Sequence, residues 1–188
     1  MSQFEILAGL PPYGPMPLPF SPGNSWAHAE GLVIRFRPND ADAWVGNFQR
    51  GETWLDTVLA HPDKRQILVI AGGTGYVIDL EAREQTRQGK VDEMLSSKHI
   101  AHADHLPDLG ILLLSDGFRF GALKADGGSW TSDNINWEGD MCNVAIRGAC
   151  LSAEVPSMDR KRWLPVELDL NTGQCVGGGP RGLPSWAA

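Results

Sequence analysis

The residues best suited to chemistry or to binding lie in one polar stretch, GSWTSDNINWEGD, at positions 128–140. It places two tryptophans seven residues apart among acidic and amide side chains. Aromatic anchors with a polar, acidic rim are typical of a protein-binding surface. Two tryptophans buried on either side of a loop would show the same pattern, so the stretch supports both interpretations equally. The residues predicted to bind a partner are Trp130, Asp133, Asn136, Trp137, Glu138 and Asp140.

Histidines and aspartates around position 100 come nearest to a metal-ligand cluster: His99, His102, Asp104, His105 and Asp108. On a strand, alternation would place His99 and His105 on one face and His102 on the other. A helix would bring the three histidines together, but Pro107 and the turn residues after it disfavour a helix here. We therefore predict no metal site.

The Gly-rich segment at 71–75, Ala-Gly-Gly-Thr-Gly, has the composition of a nucleotide-binding loop. A dinucleotide site needs a helix N-terminus behind its glycines to meet the pyrophosphate. Here the residues that follow, at 76–80, alternate as a strand does. The segment is therefore predicted to be a β-hairpin turn, and no cofactor is expected.

Motifs of nucleophilic catalysis are missing from the sequence. There is no Gly-x-Ser-x-Gly elbow, and no serine or cysteine has a setting that marks it as activated. Two acidic pairs, Glu138 with Asp140 and Asp104 with Asp108, have the residue types of glycoside chemistry. Because acidic residues are common in β-loops, we predict no catalytic residue and favour a protein that is not an enzyme.

Tryptophan is abundant in the chain, with seven residues. Trp44, Trp130, Trp137 and Trp163 lie in or beside predicted strands. Large aromatic side chains dominate the packing of protein cores. We therefore expect these four in the core or between neighbouring sheets.

Bulk properties exclude several classes of protein. The length of 188 residues suits a single domain, and an apolar content of 42% suits a globular one. The 22 glycines and 13 prolines favour an all-β fold with many turns. The formal net charge of -7 opposes nucleic-acid binding, which needs a basic surface, and favours a basic protein partner.

Cysteine usage and the N-terminus bear on location. Three cysteines without a Cys-x-x-Cys spacing indicate a reduced protein rather than a disulfide framework. Cys142 and Cys150 could pair across a hairpin, but nothing in the sequence requires it. The N-terminus lacks the features of a signal peptide, and no run approaches the ~20 apolar residues of a membrane span. We therefore expect a cytoplasmic protein without a membrane segment.

The predicted single domain, residues 1–188, has three parts: an N-terminal strand with a proline-rich strap at 1–26, β repeats at 27–178 and a tail at 179–188. Prolines at 10–22 exclude a helix or a central strand there. Met16, Leu18 and Phe20 alternate with prolines and would face one side of an extended segment. This favours a strap packed across the protein's own sheets over a PxxP ligand for an SH3-like groove.

Alternation and apolar runs predict the strands. Residues 32–36 alternate as a strand with one buried face, whereas the apolar run at 67–70 predicts a strand buried on both faces. Asp116-Gly117, between two apolar runs, predicts a primed hairpin turn because glycine accepts its positive φ. The polar excursion at 81–98 is predicted to form either a short surface helix or a charged hairpin with a strand returning around Val91.

The chain also repeats itself. Strands that contain Ile34, Tyr76, Phe118 and Val166 are spaced by 42, 42 and 48 residues. A tag of alanine, histidine and an acidic residue recurs at 27–30, 60–63 and 101–104. The tag puts His61 in register with His102, which predicts a shared structural role for the two.

A period of this length with several strands per unit resembles the blades of a β-propeller, over about residues 27–178. One small sheet cannot bury both of its faces, whereas sheets stacked around an axis can. WD40 and Kelch signatures are missing, so the resemblance is to the propeller class and to no specific family. It implies an all-β fold of about four blade-like repeats of antiparallel strands. The alternative is a β-sandwich or a curved meander.

Taken together, these features favour a non-enzymatic, acidic protein-binding module that occupies a basic partner. A bacterial immunity protein, or another inhibitor that neutralises a basic toxin or enzyme, has this size and charge. The alternative is a small β-fold hydrolase or a carbohydrate-binding protein. Self-association is also expected if a second copy completes the set of blades. Function is expected where the repeats differ, at 83–98, 128–140 and 156–162.

Overall fold

The structure, a computed structural model, describes residues 3–21, 30–38, 42–85 and 99–178. Within these ranges the chain is nearly all β, with sixteen strands in four sheets of four strands and a short 3₁₀ turn at Pro107–Leu109. The predicted fold class, an all-β protein of about four blade-like repeats, is confirmed. Two compact units, Met1–Ile100 and Ala101–Ala188, each contain two of these sheets.

Eight strands are described in the first unit. In chain order they are β1 (Phe4–Leu7), β2 (Leu18–Phe20), β3 (Leu32–Phe36), β4 (Trp44–Phe48), β5 (Thr57–Ala60), β6 (Gln66–Ala71), β7 (Thr74–Asp79) and β8 (Glu84–Gln85). The first sheet has the order β1-β3-β4-β2, in which β2 runs parallel to β4 and the other neighbours are antiparallel. The second sheet is an antiparallel meander in the order β5-β6-β7-β8.

The proline-rich strap supplies β2, an edge strand of the first sheet. Proline has no backbone N–H to donate. An edge strand tolerates Pro19 because it is hydrogen-bonded to a neighbour on one side only. Phe20 is buried and stacks on Phe48 with ring centroids 4.7 Å apart, and Leu18 packs against the same core. The strap therefore packs along the protein's own sheet, as predicted. Met16 lies before β2 and is 90% exposed, so its expected place beside Leu18 and Phe20 is wrong.

The core of the first unit forms between alternate residues of β3 and β4 and alternate residues of β6 and β7. Every residue of β6 is buried, which confirms the two-sided burial predicted for 67–70. The hairpin from β6 to β7 turns on Gly72 and Gly73, whose φ angles are +53° and +83°. Two successive positive φ angles define a primed two-residue turn, so the predicted hairpin is confirmed.

Eight strands are also described in the second unit. They are β9 (His102–Leu106), β10 (Ile111–Ser115), β11 (Phe120–Lys124), β12 (Ser129–Thr131), β13 (Cys142–Arg147), β14 (Cys150–Pro156), β15 (Trp163–Asp169) and β16 (Cys175–Gly177). They form two antiparallel meanders, β9 to β12 and β13 to β16. The core of this unit lies between alternate residues of β10 and β11 and those of β14 and β15.

The connection from β10 to β11 is longer than the Asp-Gly signal predicts. Ser115 pairs with Phe120, so four residues rather than two lie in the turn. The Asp116 carboxylate accepts hydrogen bonds from two backbone N–H groups of the turn, and the Ser115 hydroxyl accepts one from Gly117. These side-chain acceptors stabilise a wider turn, which a two-residue pattern does not anticipate.

The predicted register of the repeats is wrong in two places. His61 follows the last residue of β5, whereas His102 is the first residue of β9. His61 is buried and its Nδ1 accepts the Asp63 N–H at 3.1 Å, but His102 is exposed, so the two have different surroundings. Ile34 lies in β3, the first strand of its hairpin, while Tyr76 lies in β7, the second strand. A short recurring sequence motif therefore does not predict the strand of the sheet, or the end of that strand, at which it lies.

Cys142 lies opposite Glu154 and Cys150 opposite Arg147, and all three cysteines are free, so the pairing considered for Cys142 and Cys150 does not occur. Within the described ranges no helix has the length and apolar character needed to cross a membrane. The tail at 179–188, the tag around His28 and most of the excursion at 81–98 lie outside the described residues.

Candidate protein-binding surface

Trp130, the first tryptophan of the predicted binding stretch, is held by its own unit. It lies in β12, is half-buried and packs against the core of the second unit. Its indole N–H donates to the carbonyl oxygen of Leu170 at 3.0 Å. Gly173 lies under the ring so closely that an added Cβ would come within 2.5 Å of it. Trp130 therefore fastens β12 to the turn that follows β15.

Asn136 organises the loop at 132–141, between β12 and β13. The side chain is buried, and its Nδ2 donates to the carbonyl oxygens of Gly117 at 3.3 Å and Asp140 at 2.6 Å. Its Oδ1 accepts the Glu138 N–H at 3.1 Å. Buried polar groups are stable only when paired, and here the pairing holds the loop in one conformation. Asn136 thus shapes the loop rather than facing solvent.

The other predicted residues lie at the surface of the same loop. Asp133, Glu138 and Asp140 are exposed, and Trp137 is half-buried. Nε of Arg160 lies 2.8 Å from Oε1 and 2.6 Å from Oε2 of Glu138. The hydrogen bond to Glu138, and then its negative charge, raises the pKa of Arg160. The loop at 132–141 is therefore joined to the loop that carries Arg160.

That second loop, at 157–162, connects β14 to β15 and is also held by its own polar groups. The Ser157 hydroxyl donates to Asp159 at 2.6 Å and accepts the Arg162 N–H at 3.1 Å. The Asp159 carboxylate also accepts the Lys161 N–H. The Ser157 hydrogen bond, followed by that of Lys161, lowers the pKa of Asp159. Two of the three segments in which function was expected, 128–140 and 156–162, thus meet in space.

We name the exposed residues of these two loops, together with the half-buried Trp137, the paired-loop surface: Asp133, Asn134, Trp137, Glu138, Asp140, Met158, Asp159, Arg160, Lys161 and Arg162. Its charge is mixed, because the 157–162 loop carries three basic residues and one of them, Arg160, bridges to the acidic loop. Glu138 is already neutralised by Arg160. The acidic rim that the sequence predicts therefore reduces to Asp133 and Asp140, with cations next to it.

The histidine group does not assemble. His99 Nε2 lies 3.0 Å from a carboxylate oxygen of Glu52 in the first unit. His102 and His105 lie in β9, opposite Ser115 and Leu112. In the described part of the chain, no group of three or more histidine, cysteine, aspartate or glutamate residues could share a metal ion.

Trp54 is a candidate binding residue that the sequence analysis missed. It is 101% exposed, although Trp44 in the same unit is buried and donates to the Leu80 carbonyl oxygen at 3.3 Å. Trp163 is 50% exposed, so its expected place in the core or between neighbouring sheets is wrong. The available signal was the setting of Trp54, between Glu52 and Asp56 in a segment without strand alternation.

Trp54 stands on a connector, residues 50–56, that is bonded along its length. Thr53 donates its N–H to Gly72 at 2.9 Å and its hydroxyl to Ile100 at 2.9 Å, and Leu55 accepts the Gly73 N–H at 3.1 Å. At the end of the connector, Arg50 and Asp56 form an ion pair at 2.7 Å. The exposed indole is therefore carried by an ordered backbone, not by a loose loop.

A recess lies on the exposed face of the last sheet, at the end of β14 and β15 away from the 157–162 loop. Its volume is about 390 Å³. Its lining is mixed: the apolar residues are Ala149, Cys150, Leu168 and Val176, and the polar ones are Arg147, Glu167, Asp169 and Gln174. Val176 is 67% exposed on the edge strand β16, so the apolar lining is open to solvent.

Comparison with known proteins leaves the family open. No family model matches the sequence, and no curated protein matches it. Among solved structures, the AfRom2 CNH domain is 15% identical with a TM-score of 0.41, covering 79% of this chain and 47% of that chain. A crystal structure of a eukaryotic initiation factor is 11% identical with a TM-score of 0.40, covering 79% of this chain and 40% of that chain.

The chain thus spans less than half the length of either structure. Both TM-scores lie below 0.5, so neither likeness bears on function. What the described sheets define is a class: an all-β protein built from four-stranded, blade-like sheets.

Proposed function

We propose that this chain is a non-enzymatic protein-binding module that uses the paired-loop surface to occupy a basic protein partner, as an inhibitor or immunity protein does. The observation that carries the proposal is the bridge between Glu138 and Arg160, which joins two loops that are each held by their own hydrogen bonds. Loops ordered before association lose little conformational entropy on binding.

The chemistry of the surface suits a protein partner. Trp137 offers a half-buried aromatic surface, and tryptophan is enriched among residues that dominate binding energies. Asp133 and Asp140 supply carboxylates for basic groups, while the net charge of -7 attracts a basic partner over a longer range. Lys161 and Arg162 select orientation, because a partner must keep its own cations away from them.

The test begins with the tagged 188-residue chain, expressed in its own cells and recovered with any bound protein. The partner is then purified and titrated by calorimetry. Trp137→Ala should weaken binding by about 10-fold to 100-fold, the range of a central aromatic residue. Asp133→Asn with Asp140→Asn should mainly slow association and flatten its dependence on salt.

Asp108→Asn is the matched control, because Asp108 is an exposed carboxylate on the 3₁₀ turn, outside both loops. It should leave affinity unchanged. Equal affinity of all the variants for a purified partner would show that the paired-loop surface is not the binding site. Recovery of acidic partners alone would contradict the predicted charge of the partner.

A further inference from the structure

The sequence contains two Asp-Gly pairs, at 116–117 and at 126–127, and they lie in the turns on either side of β11. Aspartate before glycine has a chemistry of its own, in which the glycine nitrogen attacks the side-chain carboxyl carbon and closes a five-membered ring. Glycine favours the attack because it has no Cβ to hinder the approach and a wide range of backbone angles. Both pairs have these residues, so their surroundings decide which one reacts.

The pair at 116–117 is fixed by the fold. The Asp116 side chain is only 5% exposed, and its carboxylate accepts two backbone N–H groups of the turn as well as Nε of Arg119. The Gly117 N–H donates to Ser115 Oγ at 3.0 Å. The Gly117 carbonyl oxygen accepts Nδ2 of Asn136 at 3.3 Å. Ring closure at Asp116 would therefore break several hydrogen bonds within a buried turn.

The pair at 126–127 lies in an open turn between β11 and β12. Asp126 is exposed, and its carboxylate accepts the Gly128 N–H at 2.7 Å. A side-chain bond to the N–H two residues on folds the carboxyl group toward the intervening peptide, whose nitrogen is the attacking atom. The Gly127 N–H donates to the Lys124 carbonyl oxygen at 3.1 Å within the same turn. Ring closure here disturbs a surface turn, and such turns open at a lower free energy than buried ones.

We propose that Asp126 is a modification site, at which the folded chain forms isoaspartate while Asp116 stays unmodified. In the first step the Gly127 nitrogen bonds to Cγ of Asp126, and one water leaves, made from the carboxyl hydroxyl and the amide proton. In the second step water adds to the ring. Addition at Cγ restores aspartate, whereas addition at the backbone carbonyl carbon leaves the chain joined through Cγ. The net change is an isomerisation, because the water that is lost is regained.

The product has two properties that aspartate lacks. It lengthens the backbone of the turn by one carbon atom just before β12, the strand in which Trp130 donates to Leu170. It also places a free α-carboxylate on the surface of the turn, since Asp126 is exposed. That carboxylate is the substrate group of carboxyl methyltransferases that act on isoaspartate. The site uses no residue of the paired-loop surface, so the inference is independent of the proposed function.

The test is ageing of the purified, folded chain at neutral pH and physiological temperature, followed by peptide mapping with mass spectrometry. The ring intermediate is lighter by one water, and methylation by an isoaspartate-specific methyltransferase distinguishes isoaspartate from aspartate. The peptide with Asp126 should gain isoaspartate at least about 10-fold faster than the peptide with Asp116, because a buried turn must first open. Asp126→Glu, which would have to close a six-membered ring, should remove most of the methylation of the whole chain.

Ageing in guanidinium chloride is the matched control, since unfolding removes the surroundings of both sites and leaves their sequences unchanged. Both peptides should then react at similar rates. Circular dichroism checks that the aged chain and the Asp126→Glu variant are folded in buffer. Equal rates in the folded chain, or faster conversion at Asp116, would overturn the proposal. So would a folded chain in which Asp126 is still unmodified when the unfolded chain has reacted at both sites.

Discussion

The β6–β7 hairpin and the β14–β15 hairpin occupy the same place in their sheets but differ in burial and in their turns. β6 is buried throughout, and it turns into β7 through Gly72 and Gly73 alone. Along β15 every second residue is exposed, and the six-residue 157–162 loop precedes it. A strand covered on both faces has no surface left for a ligand, whereas a strand covered on one face does. The candidate surfaces of the second unit accordingly lie on and around β14 and β15.

The largest expected effect is a loss in the free energy of unfolding when a buried side chain is shortened. It tests whether burial, rather than apolar character, makes a residue of β6 contribute more to stability than a residue on the open face beside β15. Leu68 in β6 is fully buried, while Val176 beside β15 is 67% exposed. Leu68→Ala should lower the free energy of unfolding by about 3 kcal/mol, from lost apolar transfer and a residual cavity. Val176→Ala should change it by less than about 0.5 kcal/mol. Urea denaturation measures both, and equal losses would remove the distinction between the two hairpins.

The next effect is the loss of stability when alanine replaces a turn glycine, either Gly73 between β6 and β7 or Gly148 before β14. A Cβ on Gly73, at φ +83°, would lie 2.4 Å from the Thr53 hydroxyl and 2.9 Å from the Ile100 carbonyl oxygen. Gly148, in the turn that leads into β14, has φ +58° with nothing within 4 Å. Gly148→Ala should cost about 1 kcal/mol, the strain of a left-handed residue. Gly73→Ala adds a clash with backbone and should cost about 2–4 kcal/mol.

Thermal and urea unfolding of the two glycine variants measure this difference. Similar losses of stability would mean that left-handed backbone strain alone accounts for both variants. The connector at 50–56 would then shift easily to relieve the clash at Gly73. Such a connector would not hold Trp54 in one position.

The smallest effect is the pH-dependent contribution of Asp159 to stability. It is expected in the 157–162 loop, whereas the tight turn between β6 and β7 has no carboxylate. Because the pKa of Asp159 is lowered below its ordinary value of 3.8, its ionised form stabilises the folded state. That contribution is present above the unfolded pKa and is lost as the pH falls through the folded pKa. Asp159→Asn retains a hydrogen-bond acceptor but removes the charge. Its stability deficit should therefore be measurable near neutral pH and disappear in acid.

Asp108→Asn serves as the control for this measurement, since Asp108 lies on the 3₁₀ turn away from the loop. Chemical denaturation at a series of pH values gives both curves. A deficit for Asp159→Asn that stays constant into acid would mean that the charge of Asp159 does not stabilise the loop.

Local patterns explain how much of the fold could be predicted. The apolar run at 67–70 defined a strand covered on both faces because two-sided burial tolerates no polar residue in either register. The alternation at 32–36 also predicted a strand, but its single buried face was wrong, because Val33 on the other face is buried as well. The Asp-Gly pair located a turn after β10, but its length depended on side-chain acceptors that a dipeptide pattern does not contain.

The candidate site was less accessible from the sequence because its parts are far apart in the chain. The stretch at 128–140 was identified, yet its composition could not tell Trp130, which donates to Leu170, from Trp137, which is half-buried without being in a strand. Nor could it pair Glu138 with Arg160, 22 residues away. The cations beside the acidic loop appeared only when β14 and β15 brought 157–162 next to it.

By itself, the sequence determined the all-β class and the two-sided burial of β6, because these follow from residue period and turn chemistry. Tertiary structure alone decided which strand each repeat tag occupies and which loops meet. It also decided that Trp44 is buried in a core whereas Trp54 is exposed on a hydrogen-bonded connector. Whether an indole is buried depends on which sheets pack over it, and that contact is not encoded within the few residues around it.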